Sequence, residues 1–177
     1  VPIAKSSENL YVNQTAWSEF AEKNGFTEDN LSTWEGIYEV AEVYYQQTGK
    51  SFFSIDATAN FFLASSMQLG TEIFAYHEDG TADFQFTEEI ARKIWDYFYR
   101  PYIKSYYLKT GRFSSDDAKT GSILAYTGST AGAAYFPTLI EESDGTEQEI
   151  EPLILPYPYY RDAKQVSIQQ GAGMCIT

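Results

Sequence analysis

The chain has one cysteine, Cys175, and one histidine, His77, among 177 residues. A lone cysteine excludes an internal disulfide and a cysteine-based metal cluster. A lone histidine, set in the turn-like His77-Glu78-Asp79-Gly80, leaves zinc chemistry and serine-hydrolase chemistry without their usual partner. Basic residues are scarce as well, 12 against 25 acidic ones, for a formal net charge of −13 and a pI near 4.4. Such a chain offers no basic face to a phosphate backbone, which excludes nucleic acid as a partner. The acidity fits a solvated, secreted or surface-exposed protein. No run reaches the roughly 18 apolar residues of a membrane-spanning helix. There is no phosphate-binding G-x-x-x-x-G-K-S/T loop and no G-x-G-x-x-G after a strand. Internal repeats and low-complexity segments are also missing.

What is abundant is aromatic: 15 Tyr, 12 Phe and 3 Trp, 17% of the chain. Rings on that scale either fill a core or form surfaces that pack and hydrogen-bond at once, sugar platforms among them. The length suits one domain with a sizeable core. The chain opens on Val1-Pro2-Ile3 and closes on Met174-Cys175-Ile176-Thr177, both strand-like, and reads as a piece of a longer protein.

Apolar spacing divides the chain into alternating strands and helices. Val1–Ala4 and Leu10–Val12 are extended. Thr15–Lys23 is a helix ended by Asn24-Gly25. Ser32-Thr33-Trp34-Glu35 matches a capping box, with Ser32 as N-cap, for a helix reaching Thr48-Gly49. Ser51–Ile55 is a strand, followed by Asp56 as N-cap of an almost uncharged helix over Ala57–Leu69. Phe74–Tyr76 and Asp83–Phe86 flank a hairpin turn. Thr87 caps a long helix with Ile90, Ala91, Ile94, Trp95 and Phe98 as its apolar stripe, kinked at Pro101. Ser114–Lys119 is a helical turn, Glu141–Gln148 an exposed hairpin tip, and Ile150–Leu155 a strand. These alternations predict an α/β fold, a mixed sheet flanked by helices.

The organising stretch is Thr120–Pro137. Ile123–Tyr126 reads as a buried strand, Thr127–Thr130 as a hydroxyl-rich turn, and Ala131–Tyr135 as a helix start. Such a junction aims backbone N–H groups and hydroxyls at a ligand above the strand end. Gly128-Ser129-Thr130-Ala131-Gly132 would be a nucleophile elbow only with Thr130 in place of serine, and an acyl hydrolase built on it would need His77 as base. A carbohydrate-binding or adhesion module is the other alternative. The polar groups expected at strand ends are Ser6, Ser7, Asp56, Asn60, Ser129, Thr130, Gln169 and Gln170. Neutral hydroxyls and amides with one carboxylate suit a polyhydroxylated ligand better than acid–base chemistry. Asp56 reads equally well as a plain helix cap.

The order of segments resembles the family 1 extracellular solute-binding proteins of ABC importers. Val1-Pro2-Ile3-Ala4 through Leu10-Tyr11-Val12-Asn13 is similar to that family's first hinge crossing. Ser32-Thr33-Trp34-Glu35 is similar to its T-W-E-E helix start, and Gly121–Ser129 to its G-x-x-A-M-x-x-x-G strand and turn. Leu155-Pro156-Tyr157-Pro158 and Gly171–Ile176 resemble its x-L-P segment and its return strand. The resemblance implies one lobe, residues 1–177, of a type II periplasmic-binding-protein fold, with 1–12 and 169–177 next to the hinge. It also implies a non-catalytic, cofactor-free receptor for a small solute, a sugar or oligosaccharide, closing about a hinge and working with ABC permease subunits. The receptor would be a monomer outside the cell or in the periplasm, anchored as a lipoprotein. The family's aromatic platforms fall at Asn60 and Thr130, where this chain is small and polar, although Phe61 and Tyr135 lie nearby.

Overall fold

Alternation in Glu8–Asn13 sends Leu10 and Val12 to one face of a strand and Tyr11 to the other, and all three are fully buried. A strand apolar on both faces must be central in its sheet. In the computed structural model, which describes residues 2–141 and 146–175, it is. In chain order the strands are β1 (Pro2–Ser6), β2 (Glu8–Asn13), β3 (Phe53–Ile55), β4 (Phe74–Tyr76), β5 (Ala82–Phe84), β6 (Ala125–Ser129), β7 (Leu139–Glu141), β8 (Glu147–Glu149), β9 (Pro152–Pro156) and β10 (Gln170–Gly173). The α-helices are α1 (Gln14–Asn24), α2 (Trp34–Thr48), α3 (Thr58–Gln68), α4 (Glu88–Ile94), α5 (Arg100–Ile103) and α6 (Ser114–Lys119).

The main sheet has four strands in the order β3-β6-β2-β9, with β3 and β6 parallel and the other neighbours antiparallel. It is the mixed sheet flanked by helices that the alternation predicts. One face carries the larger core, where Leu10 and Val12 meet Trp17 and Phe20 of α1, Trp34 and Ile37 of α2, and Phe61 of α3. The other face packs Tyr11, Tyr126 and Phe136 as stacked rings with Ala118 of α6 and Ile140 of β7. Three antiparallel ribbons stand apart from this sheet: β1 with β10, β4 with β5, and β7 with β8. The first of these joins the two ends of the described chain.

Trp34 is the hub of the larger core. It lies edge-on to Phe53, Phe61 and Tyr157, and its indole N–H donates to Gln68 Oε1 at 3.2 Å. The Gln68 amide donates in turn to the carbonyls of Pro158 and Val166, at 2.9 and 2.8 Å. That chain of bonds satisfies polar groups the core would otherwise strand, and it fixes the segment after β9 onto α3.

Several local expectations are corrected. Thr33, not Ser32, is the N-cap of α2: its hydroxyl accepts from Gly36 N–H, while Ser32 Oγ donates back to the Asp29 carbonyl. Glu35 closes no capping box. It is drawn away to Lys93 Nζ and Arg161 N–H, at 3.3 and 3.0 Å. The helix after Thr87 does not kink simply at Pro101. Residues Trp95–Tyr99 form a π turn, which adds a residue to the turn and rotates the face, so Trp95 ends 55% exposed instead of continuing the buried stripe. The Asp83–Phe86 strand is shifted to Ala82–Phe84, and the strand expected at Ile150 begins at Pro152. The hairpin tip over 141–148 is bracketed by paired β7 and β8, but its residues 142–145, like Val1, Ile176 and Thr177, lie outside the described residues.

Candidate functional site

Parallel pairing puts the C-terminal ends of β3 and β6 side by side, and antiparallel pairing brings the N-terminal end of β2 to the same edge, with Glu8 opposite Ser129. The chain leaving β3 enters α3 two residues later, so the first turn of that helix opens at this edge too. Ser7, Glu8, Asp56, Asn60, Ser129 and Thr130 are thereby gathered along one end of the sheet. Open α/β sheets take ligands at such strand ends.

Ser7 and Thr130 are directly joined: Thr130 N–H donates to the Ser7 carbonyl at 2.8 Å, and Ser7 N–H donates to Thr130 Oγ1 at 3.2 Å. The Ser7 hydroxyl lies 2.8 Å from that of Ser167, which ties in the irregular segment that leads to β10. Ser6 pairs with Gln170 across the β1–β10 ribbon. Gln170 is exposed on that ribbon and Gln169 is exposed just before it, neither on the main sheet edge.

The turn read from Thr127–Thr130 is different in the structure. Strand β6 runs through Gly128 to Ser129, and the helix that follows, Thr130–Tyr135, is a short 3-10 helix. Ser129 Oγ caps it by accepting from Ala131 N–H, and Tyr11 donates to the Ser129 carbonyl at 2.7 Å. Both hydroxyls therefore accept bonds within the protein, and the junction is not an open anion cradle. Continuing the strand buries Thr127 and Gly128 against neighbours on both sides, which a free turn would leave wet.

Asp56 does not cap α3. The N-cap is Ala57, which makes no side-chain bond to the helix. The Asp56 carboxylate instead accepts from Ser114 N–H at 2.7 Å and from Lys109 Nζ at 3.1 Å, anchoring the start of α6. A charged donor and a helix N-terminus outcompete its own downstream amides.

A cavity of about 500 Å³ opens between α6, the end of β6 and the 3-10 helix. Phe113 and Tyr135, 50% and 68% exposed, stand in its lining, with Tyr126 and Gly128 beneath and Asp56 and Ser129 supplying polar atoms. Gly128 is small for a reason: a Cβ there would sit 3.2 Å from the Tyr126 ring. Burial, followed by the phenol of Tyr11 and the charge of Asp56, pushes the Tyr126 phenol well above its ordinary range, so it remains a neutral hydroxyl. A pocket with aromatic walls and a few polar groups can hold a small polyhydroxylated molecule without any bond chemistry.

Two residues of this region escaped sequence reading. Phe113 sits in a loop with no periodicity to flag it. Glu8 looks like one of many solvated carboxylates, yet it is only 4% exposed and its Oε2 has no hydrogen-bond partner. The signal was available: Glu8 alternates in phase with Leu10 and Val12, so it had to point into the larger core. Its carboxyl is raised from 4.5 to about 7, chiefly by burial, with the Asn60 side chain pulling it down and the charge of Asp56 adding to the rise.

The hydrolase alternative finds no geometry. His77 sits at the turn of the β4–β5 hairpin with Nε2 3.1 Å from Asp83, while Thr130 bonds to the backbone of Ser7.

No protein-family model and no curated protein sequence matches the chain. Its fold matches solved binding proteins. Against UgpB of Mycobacterium tuberculosis in complex with glycerophosphocholine the TM-score is 0.71 at 19% identity, over 98% of this chain and 42% of that one. Against maltose-bound MalE3 of T. maritima it is 0.67 at 16% identity, over 97% and 43%. Against the cyclic α-maltosyl-1,6-maltose binding protein of Arthrobacter globiformis it is 0.64 at 18%, over 96% and 41%. The chain thus has the α/β fold found in part of these binding proteins, and it spans about two fifths of the length of each.

Proposed function

We propose that the chain is the second lobe of the solute-binding receptor of an ABC importer, and that the strand-end groove is one wall of a carbohydrate site. The cavity flanked by the exposed rings of Phe113 and Tyr135 carries this reading. Flat apolar rings beside hydroxyl and carboxylate acceptors suit the mixed faces of a sugar. The rings stand where the sheet edge is, although neither occupies the Asn60 or Thr130 position at which the resemblance places aromatic platforms. The fold match to receptors solved with maltose and with glycerophosphocholine supports a binding role over a catalytic one.

In this reading the remaining wall belongs to a first lobe, and the solute is held by hinge closure. The exposed β1–β10 ribbon, with Ser6 and Gln170 paired, is the segment next to the hinge. The receptor works as a monomer with ABC permease subunits, outside the cell or in the periplasm, and a lipid anchor on the full-length protein holds it at the membrane. None of the described helices is long and apolar enough to cross a membrane.

Calorimetry of the full-length protein against maltose, maltotriose and glycerophosphocholine tests the proposal. Binding of a sugar that is lost in Tyr135→Ala supports it. Binding of glycerophosphocholine alone would remove the carbohydrate assignment, and heat from neither glycerophosphocholine nor any of a broad sugar panel would remove the receptor reading.

A further inference from the structure

Among the described residues, buried side-chain oxygens of Glu8, Tyr107, Tyr126, Thr127 and Tyr157 have no hydrogen-bond partner. Of these residues only Tyr126 lines the cavity between α6, β6 and the 3-10 helix. A buried hydroxyl without a partner costs free energy until something supplies the missing bond. The neighbouring phenol shows the contrast. Tyr11 and Tyr126 lie opposite each other across β2 and β6, with their rings stacked at 5.2 Å. Tyr11 donates to the Ser129 carbonyl at 2.7 Å, whereas the Tyr126 hydroxyl meets no acceptor in the protein.

The direction of the Tyr126 ring brings its hydroxyl end toward the cavity. Side chains on a strand lean along it, and this ring leans toward Gly128, two positions on and on the same face. A Cβ on Gly128 would stand 3.2 Å from the Tyr126 Cε2 and 3.5 Å from its Cδ2, so the hydroxyl end is the nearer one. Gly128 lines the cavity as well, one residue before the end of β6. Asp56 follows Ile55, the partner of Thr127 in the parallel pair, and therefore stands beside Gly128. Its carboxylate is engaged by Ser114 N–H and Lys109 Nζ. The Tyr126 phenol, held neutral by burial, keeps a proton to donate.

We propose that Tyr126 is a specificity-determining contact, whose hydroxyl donates to an oxygen acceptor of the solute in the cavity. The inference rests on that cavity being part of the solute site. For a sugar, the acceptor is a hydroxyl, ring or glycosidic oxygen. Phe113 and Tyr135 then offer ring faces to the apolar side of the solute, and Tyr126 demands an oxygen at the floor. A solute with an apolar atom at that point leaves the hydroxyl unpaired and binds less tightly.

The test compares Tyr126→Phe and Tyr11→Phe with wild type in the full-length protein, by thermal melting and by calorimetry. Without ligand, Tyr11→Phe loses a bond and should melt several degrees below wild type. Tyr126→Phe loses none and should melt no lower than wild type. Calorimetry uses the same sugar panel and glycerophosphocholine. For a compound that wild type binds, Tyr126→Phe should weaken affinity by ~10-fold while its unliganded stability stays intact. A merely structural role would move both measurements together. A Tyr126→Phe melt as low as that of Tyr11→Phe means that the hydroxyl is bonded inside the protein, and overturns the proposal. Equal affinity of wild type and Tyr126→Phe overturns it too, and leaves the receptor reading standing. Absence of heat from every compound in wild type overturns the receptor reading and this contact with it.

Discussion

Ser7 and Thr130, separated by 123 positions, hold each other through a reciprocal pair of backbone-anchored hydrogen bonds. The pair fastens the chain entering β2 to the chain leaving β6, at the edge where the candidate groove opens. Thr130→Val keeps the shape and removes the acceptor for Ser7 N–H, so it should destabilise the fold by about 1 kcal/mol in urea unfolding, with Thr130→Ser near wild type. Equal stability of Val and wild type would mean that solvent satisfies Ser7 as well as Thr130 does.

Asp56 is expected to matter for α6 and little for α3. Asp56→Ala removes the acceptor for both Lys109 and Ser114 N–H, a loss of about 2 kcal/mol. Hydrogen exchange should show the first turn of α6 opening while the amides of α3 keep their protection. Selective fraying of α3 would restore the simple capping role that the sequence suggests.

Phe113 and Tyr135 should separate binding from stability. Both rings are exposed, so truncation to Ala should change the unfolding midpoint little. Sugar affinity measured by calorimetry should fall by about tenfold or more for Tyr135→Ala if its ring supplies a stacking face, since such ring contacts contribute ~0.5–1.5 kcal/mol beyond their buried area.

Glu8 gives stability a definite pH dependence. Its carboxyl is raised from 4.5 to about 7 in the fold, so between those values the native state holds a proton that the unfolded chain has released. Stability from this group is full below the unfolded value and is lost as pH rises toward about 7. Thermal midpoints should decline more steeply across that window in wild type than in Glu8→Gln, and parallel curves would contradict it.

Trp34→Ala should be the most damaging of single core changes. It opens a cavity among Phe53, Phe61 and Tyr157 and strands the Gln68 amide carbonyl, for a loss of about 3–5 kcal/mol. Trp34→Phe should recover part of the packing but not the Gln68 contact. Circular dichroism melts of the variants resolve the two contributions.

Element types were largely legible from local chemistry. The amphipathic periods of α1 and α2, the left-handed glycines Gly25 and Gly49 that end them, and the turn between Phe74–Tyr76 and Ala82–Phe84 all act within a few residues of chain. Cap identity was less legible. Ser32 and Thr33 are both good caps in isolation, and the choice fell to Thr33 because the Tyr159 carbonyl accepts from Trp34 N–H and draws Glu35 into a different network.

The acidic composition, the single histidine and the missing nucleotide loops narrowed the function before any fold was known, because charge and side-chain chemistry are properties of residues. The order of elements likewise implied an α/β sheet with helices over it. Only tertiary structure could show that Asp56 turns to Lys109 instead of capping α3, and that the Thr130 hydroxyl is taken up by Ser7. Both outcomes depend on a partner more than 50 positions away in the chain. Competition between near and distant partners is decided by packing, which no local pattern contains.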